Sequence, residues 1–200
     1  MPAKNQSVSK SPSEHLKYKI AISGAAETAF MSANAMPEVE MLGRLIAEHG
    51  MVTITGATTG APYWAAKGAK EAGGIVIGIS PAATKAEHLN VYKLPIDYHD
   101  LIIYTGFGYS GRNLLFTRSA DAVISVGGRI GTLNEFTDAF EDQKPQGVLL
   151  GTGGTTDDLK KILEDAHRGM GKVVFDTDPK ALFDKVVAMV EKENAELGIE

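Results

Sequence analysis

A short run of glycines before a helical segment carries the clearest chemical signal in this sequence. Gly127, Gly128 and Gly131 directly follow an apolar run over residues 122–126, and a helical pattern begins at Thr132. A strand that ends in glycines and opens into a helix leaves backbone N–H groups unpaired at the positive end of the helix dipole. Such a turn binds anions, above all phosphate. We therefore expect Gly127, Gly128 and Gly131 to bind a phosphate group.

Glu135 adds an acidic group to this turn. It lies three positions beyond Thr132, so it falls one helical turn inside the predicted helix. There its carboxylate can bind ribose hydroxyls or act beside the phosphate, as carboxylates do in glycoside cleavage. Thr132 and Glu135 also have the spacing of a capping box, in which each side chain bonds the other's backbone. Both interpretations stay open, and Thr132 is expected to contact the anion as well as cap the helix.

Further candidate ligand contacts lie in other glycine-rich turns and in two arginines. Gly24 ends the first apolar run, and Gly56 and Thr58 follow the second. Arg112 is placed at a helix start, which is unfavourable for a cation unless an anion or an electron-rich base lies beside it. Its planar fork of donors suits either partner. Arg129 lies inside the glycine turn and is predicted either to bind the phosphate or to extend into solvent.

The scaffold for these residues follows from the alternation of apolar runs with helical patterns. Seven short runs rich in Val and Ile lack a period of two, as expected for strands that are covered on both faces. Their alternation with helices predicts a single three-layer, Rossmann-like α/β domain with a mostly parallel, doubly wound sheet of about seven strands. The predicted strands are residues 18–23, 51–55, 74–79, 101–104, 122–126, 146–150 and 172–176, and the predicted helices are residues 37–48, 61–71, 112–119, 132–141, 156–167 and 179–193. Ligands bind beyond the carboxyl ends of such strands, where the glycine turns meet.

The composition fits one domain and excludes several kinds of site. The chain has 200 residues, of which 44% are hydrophobic and 22% charged, enough for one buried core. It has no cysteine, which excludes disulfides, thiolate metal sites and cysteine nucleophiles. The five histidines show no metal-ligand spacing, so we expect them at the surface or in loops and predict no metal site. A net charge of −5 argues against a nucleic-acid partner.

The N-terminal segment and the hydropathy bear on location. Residues 1–17 are polar and lack the apolar core of a signal peptide, so we predict a disordered tail ahead of one domain over residues 18–200. No apolar run approaches the ~18 residues that a membrane helix needs. We expect a cytoplasmic protein without a membrane partner.

Two common nucleotide motifs are missing from the glycine turns. None is followed by the Gly-Lys-Ser/Thr of a Walker loop, and residues 23–27 lack the Gly-x-Gly-x-x-Gly pattern of dinucleotide folds. Residues 151–158 resemble a phosphate loop but carry two aspartates, which would repel a phosphate at that helix start. We predict a turn and a helix cap there.

Three motifs together resemble the "lonely guy" (LOG) family of nucleotide-binding Rossmann-like proteins, which are often mislabelled lysine decarboxylases. The motifs are Gly56-x-x-x-Gly60, the glycine-rich run over residues 73–81, and Gly-Gly-x-x-Gly-Thr-x-x-Glu ending at Glu135. The resemblance covers about residues 19–193. It implies a phosphoribohydrolase that cleaves a nucleoside 5′-monophosphate to free base and ribose 5-phosphate without a required cofactor. It also implies that Arg112, upstream of Glu135, is the family's catalytic arginine. Residues 104–109 are loop-like and directly precede this arginine, so we expect them to face the base.

Two positions depart from the family pattern. Val126 stands where the family usually has proline, and Asn113 stands where a lysine usually follows the arginine. Both changes resemble a side branch that includes molybdenum-cofactor carrier proteins and is related to DNA-processing protein A. The sequence thus leaves three functions open: a phosphoribohydrolase, a non-catalytic nucleotide or molybdenum-cofactor (pterin) carrier, and an oligomeric scaffold. The resemblance implies a homodimer or a higher homo-oligomer, to which apolar residues between 112 and 140 are expected to contribute.

Overall fold

All seven apolar runs form strands of one parallel sheet. The structure is a computed structural model that describes residues 17–198. The strands are β1 Lys19–Gly24, β2 Val52–Thr55, β3 Ile75–Ser80, β4 Leu101–Tyr104, β5 Ala122–Gly128, β6 Gln146–Gly154 and β7 Val173–Asp176. The helices are α1 Ala35–Glu48, α2 Ala61–Glu71, α3 Lys85–Asn90, α4 Gly108–Arg118, α5 Ile130–Glu141, α6 Leu159–Asp165 and α7 Pro179–Leu197, with a 3₁₀ turn over Thr155–Asp158. The predicted α/β, Rossmann-like fold is confirmed. The predicted tail lies outside the described residues except for Lys17.

Helices cover both faces of this sheet, because successive residues of a strand point to opposite sides. In the central strand β1, Ile20 and Ile22 pack in one core with Leu42 of α1. Ala21, between them, packs in a second core with Phe116 of α4. The strands are therefore apolar on both faces, which explains why they show no alternation in the sequence.

The order of the strands places the site. The sheet runs β4-β3-β2-β1-β5-β6-β7, so the chain builds one half outward from β1 and then returns to place β5 on its other side. β1 pairs with β5 in the register Ser23↔Ser125 and Gly24↔Val126. The crevice outside a point of reversed strand order is the usual ligand site of such sheets. Here that point lies between β1 and β5, which carry the predicted glycines.

Several element boundaries differ from those predicted. The six-residue helix α3 is absent from the predicted elements, and the Thr84 side chain caps it by accepting from Glu87 N at 3.1 Å. β6 continues to Gly154, where it pairs with Gly128, although the sequence predicts a turn from residue 151. One of the two aspartates there acts structurally, since Asp157 accepts from the amides of Gly151 (2.7 Å) and Gly153 (3.2 Å).

Two predictions about side-chain location are wrong. His88 is fully buried, although its sequence context predicts a surface or loop position. Its Nε2 donates to Pro95 O (3.0 Å) and its Nδ1 accepts from Ser80 Oγ (2.8 Å), so burial leaves neither nitrogen unsatisfied. Of the apolar residues expected at an interface, Phe116, Phe136 and Phe140 are buried in the core of this chain, whereas Leu115 is 38% exposed.

No helix within residues 17–198 is long and apolar enough to cross a bilayer.

Candidate functional site

A cleft of about 350 Å³ lies beyond the carboxyl ends of β1 and β5. This is at the lower end of the ~300–1,000 Å³ typical of small-molecule sites. The cleft brings together most of the predicted site residues, namely Gly24, Thr58, Arg112, Arg129, Gly131, Thr132 and Glu135. Its lining is completed by Ala25, Ala26, Tyr109, Asn113 and Ile130.

The start of α5 forms one wall of the cleft. Helix α5 begins at Ile130, and Leu133 N is the first amide bonded back to the cap residue, to Arg129 O at 3.1 Å. The amides of Ile130, Gly131 and Thr132 are therefore those that a helix start leaves without an internal partner. A Cβ on Gly131 would meet no atom within 4 Å, so this glycine faces open space. The helix start can thus receive an anion in direct contact with the backbone.

Glu135 lies buried at the inner end of the cleft, where it is 6% exposed. Its Oε2 accepts a hydrogen bond from Ser23 Oγ at the end of β1. A carboxylate only accepts, so the Asn113 amide nitrogen faces it and donates to Oε1 at 3.0 Å. Burial raises the pKa of Glu135, and the Arg112 charge and the Ser23 hydrogen bond partly oppose that shift.

The alternative capping box does not form. Thr132 is the third residue of α5 rather than its cap, and no side chain of the described residues caps this helix. Both oxygens of Glu135 are turned toward Ser23 and Asn113, away from the helix start.

Arg112 provides the buried positive charge of the site. It lies in the second turn of α4, because this helix starts at Gly108 rather than at the predicted residue 112. Its Nη1 donates to Ile79 O at 3.5 Å, a long bond and the guanidinium's only one to the described chain. Cζ lies 5.8 Å from the Tyr109 ring centroid and 5.9 Å from that of Phe116. Burial lowers the pKa of Arg112 and the charge of Glu135 raises it, but an arginine still stays protonated.

Three of the predicted phosphate-binding glycines are not in the cleft lining. A Cβ on Gly56 would fall 1.8 Å from Arg112 Nη1, so Gly56 makes room for this side chain. Gly127 has φ +38°, and its amide already donates to Thr152 Oγ1 at 2.8 Å. Gly128 pairs with Gly154 in the sheet. These glycines shape the walls behind the cleft.

Arg129 lies at the mouth of the cleft and is 57% exposed in its side chain. Its Nη1 pairs with Glu27 Oε2 at 2.5 Å, in a contact that both side chains leave largely in solvent. Arg129 thus lies at the cleft rim, largely in solvent and paired with Glu27, and its contact with a phosphate stays a prediction.

Sequence reasoning misses two residues that hold Glu135. Ser23 directly precedes the predicted Gly24, and the only signal for it is its place at the end of β1, beside the cleft. Asn113 stands out in the sequence only as a departure from the LOG pattern, and the structure turns its amide toward the acid. From the predicted base-facing segment, Tyr109 lines the cleft, whereas Phe107 does not and is 67% exposed.

Within the described residues, no group of three or more His, Asp or Glu side chains could hold a metal ion.

Comparisons with known proteins place this geometry in a family. The model of the SLOG cluster4 family matches residues 17–183. An uncharacterised protein of Archaeoglobus fulgidus is 41% identical over 103 residues. That alignment covers 52% of this chain and 62% of the relative, so the chain spans less than two thirds of that protein's length.

Solved structures with the same fold include two proteins of molybdenum-cofactor biology. The molybdenum cofactor binding protein of Rippkaea orientalis superposes with a TM-score of 0.71 at 28% identity, over 89% of this chain and 98% of that one. The molybdenum cofactor carrier protein of Chlamydomonas reinhardtii gives a TM-score of 0.70 at 29% identity, over 88% and 99%. DNA processing protein A of Helicobacter pylori, at 18% identity and a TM-score of 0.61 over 86% and 81%, shares the fold alone.

These findings confirm the LOG-like resemblance and its carrier side branch. Because the family model spans most of the chain and both halves of the cleft, the protein belongs to the SLOG cluster4 family.

Proposed function

We propose that the protein binds and carries a phosphorylated heterocyclic ligand in the cleft between β1 and β5. The ligand is a purine nucleotide or the phosphorylated pterin of the molybdenum cofactor. The observation that carries this proposal is the Arg112 guanidinium, which is buried at the cleft with one long hydrogen bond to the described chain. Buried donors are costly when unpaired, so a ligand with acceptors is the expected partner.

The polar groups of the cleft match the two ends of such a ligand. The unpaired amides at the start of α5 suit an anion such as a phosphate. Deeper in the cleft, the Glu135 carboxylate accepts from ring N–H and amino groups, and Arg112 donates to a ring carbonyl oxygen. Guanine and pterin rings both present these groups side by side. The similarity to two molybdenum-cofactor proteins supports the pterin as cargo.

Direct binding tests this proposal. We expect AMP, GMP or neopterin monophosphate to raise the unfolding midpoint, because a ligand at 100 times its Kd stabilises the folded state by ~2.7 kcal/mol. The matching unphosphorylated compound should bind at least tenfold more weakly. Arg112→Gln should abolish the shift. Arg118→Gln, which removes an exposed arginine paired with Asp142, serves as the control and should retain it. Absence of any shift, or full binding by Arg112→Gln, would contradict the proposal.

A second candidate function is the phosphoribohydrolase reaction, favoured by the position of Glu135 in the same cleft as Arg112. The carboxylate would stabilise positive charge on the ribose while Arg112 holds the leaving base. Incubation with AMP or GMP should then release free base and ribose 5-phosphate, and Glu135→Gln should stop the release. Binding without turnover leaves carriage as the function.

The homodimer and the cytoplasmic location stay predictions. Support for self-association comes from β4 at the edge of the sheet, where Leu101 is 55% and Ile103 47% exposed. An edge strand with apolar side chains and an unpaired backbone is a natural surface for a second copy.

A further inference from the structure

A second, more open basin of about 430 Å³ adjoins the cleft. The two share Arg129 and Ile130, so only the start of α5 separates them. The second basin is further lined by Phe30 from the loop after β1 and by Gly154 and Asp158 from the end of β6 and the turn after it. The function proposed above uses only the cleft and leaves this basin without a role.

Phe30 gives the second basin a flat aromatic surface. A Cβ on Gly154 would fall 2.6 Å from Phe30 Cε2. The ring therefore packs directly on the backbone of Gly154, where any side chain would clash with it. Gly154 also has φ +68°, a conformation that favours glycine. Phe30 nevertheless stays 43% exposed. An aromatic ring that is supported on one side and open on the other is a stacking surface for a second planar ring.

The ridge between the two basins is suited to phosphate groups. It carries the unpaired amides at the start of α5 and the side chain of Arg129. Within residues 17–198, the Arg129 side chain is held only by the exposed pair with Glu27. Exposed ion pairs contribute little to stability, so Arg129 can leave Glu27 for a phosphate at small cost. Ile130 is 76% exposed on the same ridge and offers apolar contact to both sides.

Asp158, which also lines the second basin, favours a sugar over a phosphate there. It is exposed and acidic, so it repels a phosphate but accepts hydrogen bonds from sugar hydroxyls. The surface therefore offers a cleft suited to a ring, a ridge suited to an anion and, in the second basin, a carboxylate and an exposed aromatic ring.

We infer that the ligand is a dinucleotide-type molecule, with two planar ring systems joined through a diphosphate. One ring occupies the cleft, the diphosphate lies over the start of α5, and the second nucleoside lies in the basin with its ring on Phe30. This inference rests on the proposed function, since it takes the cleft as the site of the first ring.

Calorimetric titration with three guanine compounds tests the inference. GMP fills the cleft alone, GDP adds the second phosphate, and di(guanosine-5′) diphosphate adds the second nucleoside. We expect the last compound to bind at least tenfold more tightly than GDP. Phe30→Ala should remove this advantage and leave the GDP affinity unchanged, and Phe30→Tyr should keep it. Phe107→Ala is the control, because this phenylalanine is also exposed, at 67%, and lines neither basin.

The outcomes separate the two proposals. If GMP binds but the dinucleotide gains nothing over GDP, or if Phe30→Ala keeps the gain, the second basin is not a subsite and the inference is overturned while the cleft stands. If AMP, GMP and neopterin monophosphate all fail to bind, the proposed function itself is wrong. Should Phe30→Ala not fold, Phe30→Leu keeps the apolar bulk without the ring face and must also lose the gain.

Discussion

Gly56 lies directly against the guanidinium of Arg112, so close that a Cβ would fall 1.8 Å from Nη1 and 2.9 Å from Cζ. Even the smallest side chain at residue 56 would displace the arginine. The first motif glycine of the chain and its buried cation thus form one structural unit.

Gly56→Ala should therefore weaken ligand binding at least tenfold and also destabilise the fold. Overpacking at a buried position costs about 1–3 kcal/mol. Gly131→Ala is the contrast, because its Cβ would meet no atom within 4 Å. We expect the urea midpoint of that variant to equal or exceed the wild-type value. Its affinity should fall for the phosphorylated ligand and not for the unphosphorylated one. Urea denaturation and calorimetry check both, and a Gly56→Ala protein with wild-type stability would contradict the contact.

Ser23→Ala should reduce stability more than the same change in the neighbouring strand. Ser23 donates to the buried Glu135, and a hydrogen bond to a charged group contributes about 1.5–3 kcal/mol. Ser125 is its register partner in β5, and its buried hydroxyl has no hydrogen-bond partner within residues 17–198. Ser125→Ala should thus be neutral or stabilising. Equal losses in urea denaturation would show that the Ser23 contact with Glu135 contributes nothing specific.

Glu135→Gln should alter how stability depends on pH. Burial raises the pKa of Glu135 above its ordinary 4.5, so the folded protein holds this proton more tightly than the unfolded chain does. The stabilisation from that proton is complete below the unfolded pKa and is lost as the pH rises through the folded value. Relative to the wild type, Glu135→Gln should gain stability as the pH increases above about 4.5. Thermal unfolding without ligand, from mildly acidic to mildly alkaline buffer, measures the stability of the variant minus that of the wild type. A value that falls as the pH rises would contradict the prediction.

Leu101→Lys combined with Ile103→Lys should convert a homodimer into a monomer. Both side chains extend from the edge strand β4 into solvent, so the change costs this chain little packing of its own. Charged residues on an edge strand oppose pairing with another strand. Sedimentation velocity of the wild type and the variant decides the matter. A wild-type protein that sediments as a monomer, or a variant that stays dimeric, would exclude this interface.

The fold is predictable from sequence because it depends on patterns that short segments carry by themselves. Each strand is an apolar run between polar turns, and runs such as residues 122–126 need no distant partner to be recognised. Helix α3 escapes prediction because six residues hold less than two helical turns. The extension of β6 through Gly151, Gly153 and Gly154 is equally invisible, since glycines normally interrupt strands.

The site is predictable in its parts but not in its connections. The glycine turn with Glu135 and the conspicuous Arg112 identify the two charged groups from sequence alone. The contacts of Glu135 with Ser23 and Asn113 join residues from three separate elements, and no local pattern reports such a contact. Gly56 illustrates the same limit. Its motif predicts a contact with phosphate, yet the space that this glycine leaves is filled by Arg112.

Because the strand order reverses beside β1, the Ser23–Glu135 contact spans 112 positions of the chain. Contacts of such separation slow folding, because a long loop must be closed to form them. The cleft takes residues from both halves of the polypeptide, so neither half can form it alone, and a bound ligand would contact both. Separately produced fragments, one ending before β5 and the other starting with it, would recover recognition only by reassociating, which makes ligand capture a direct readout of complementation.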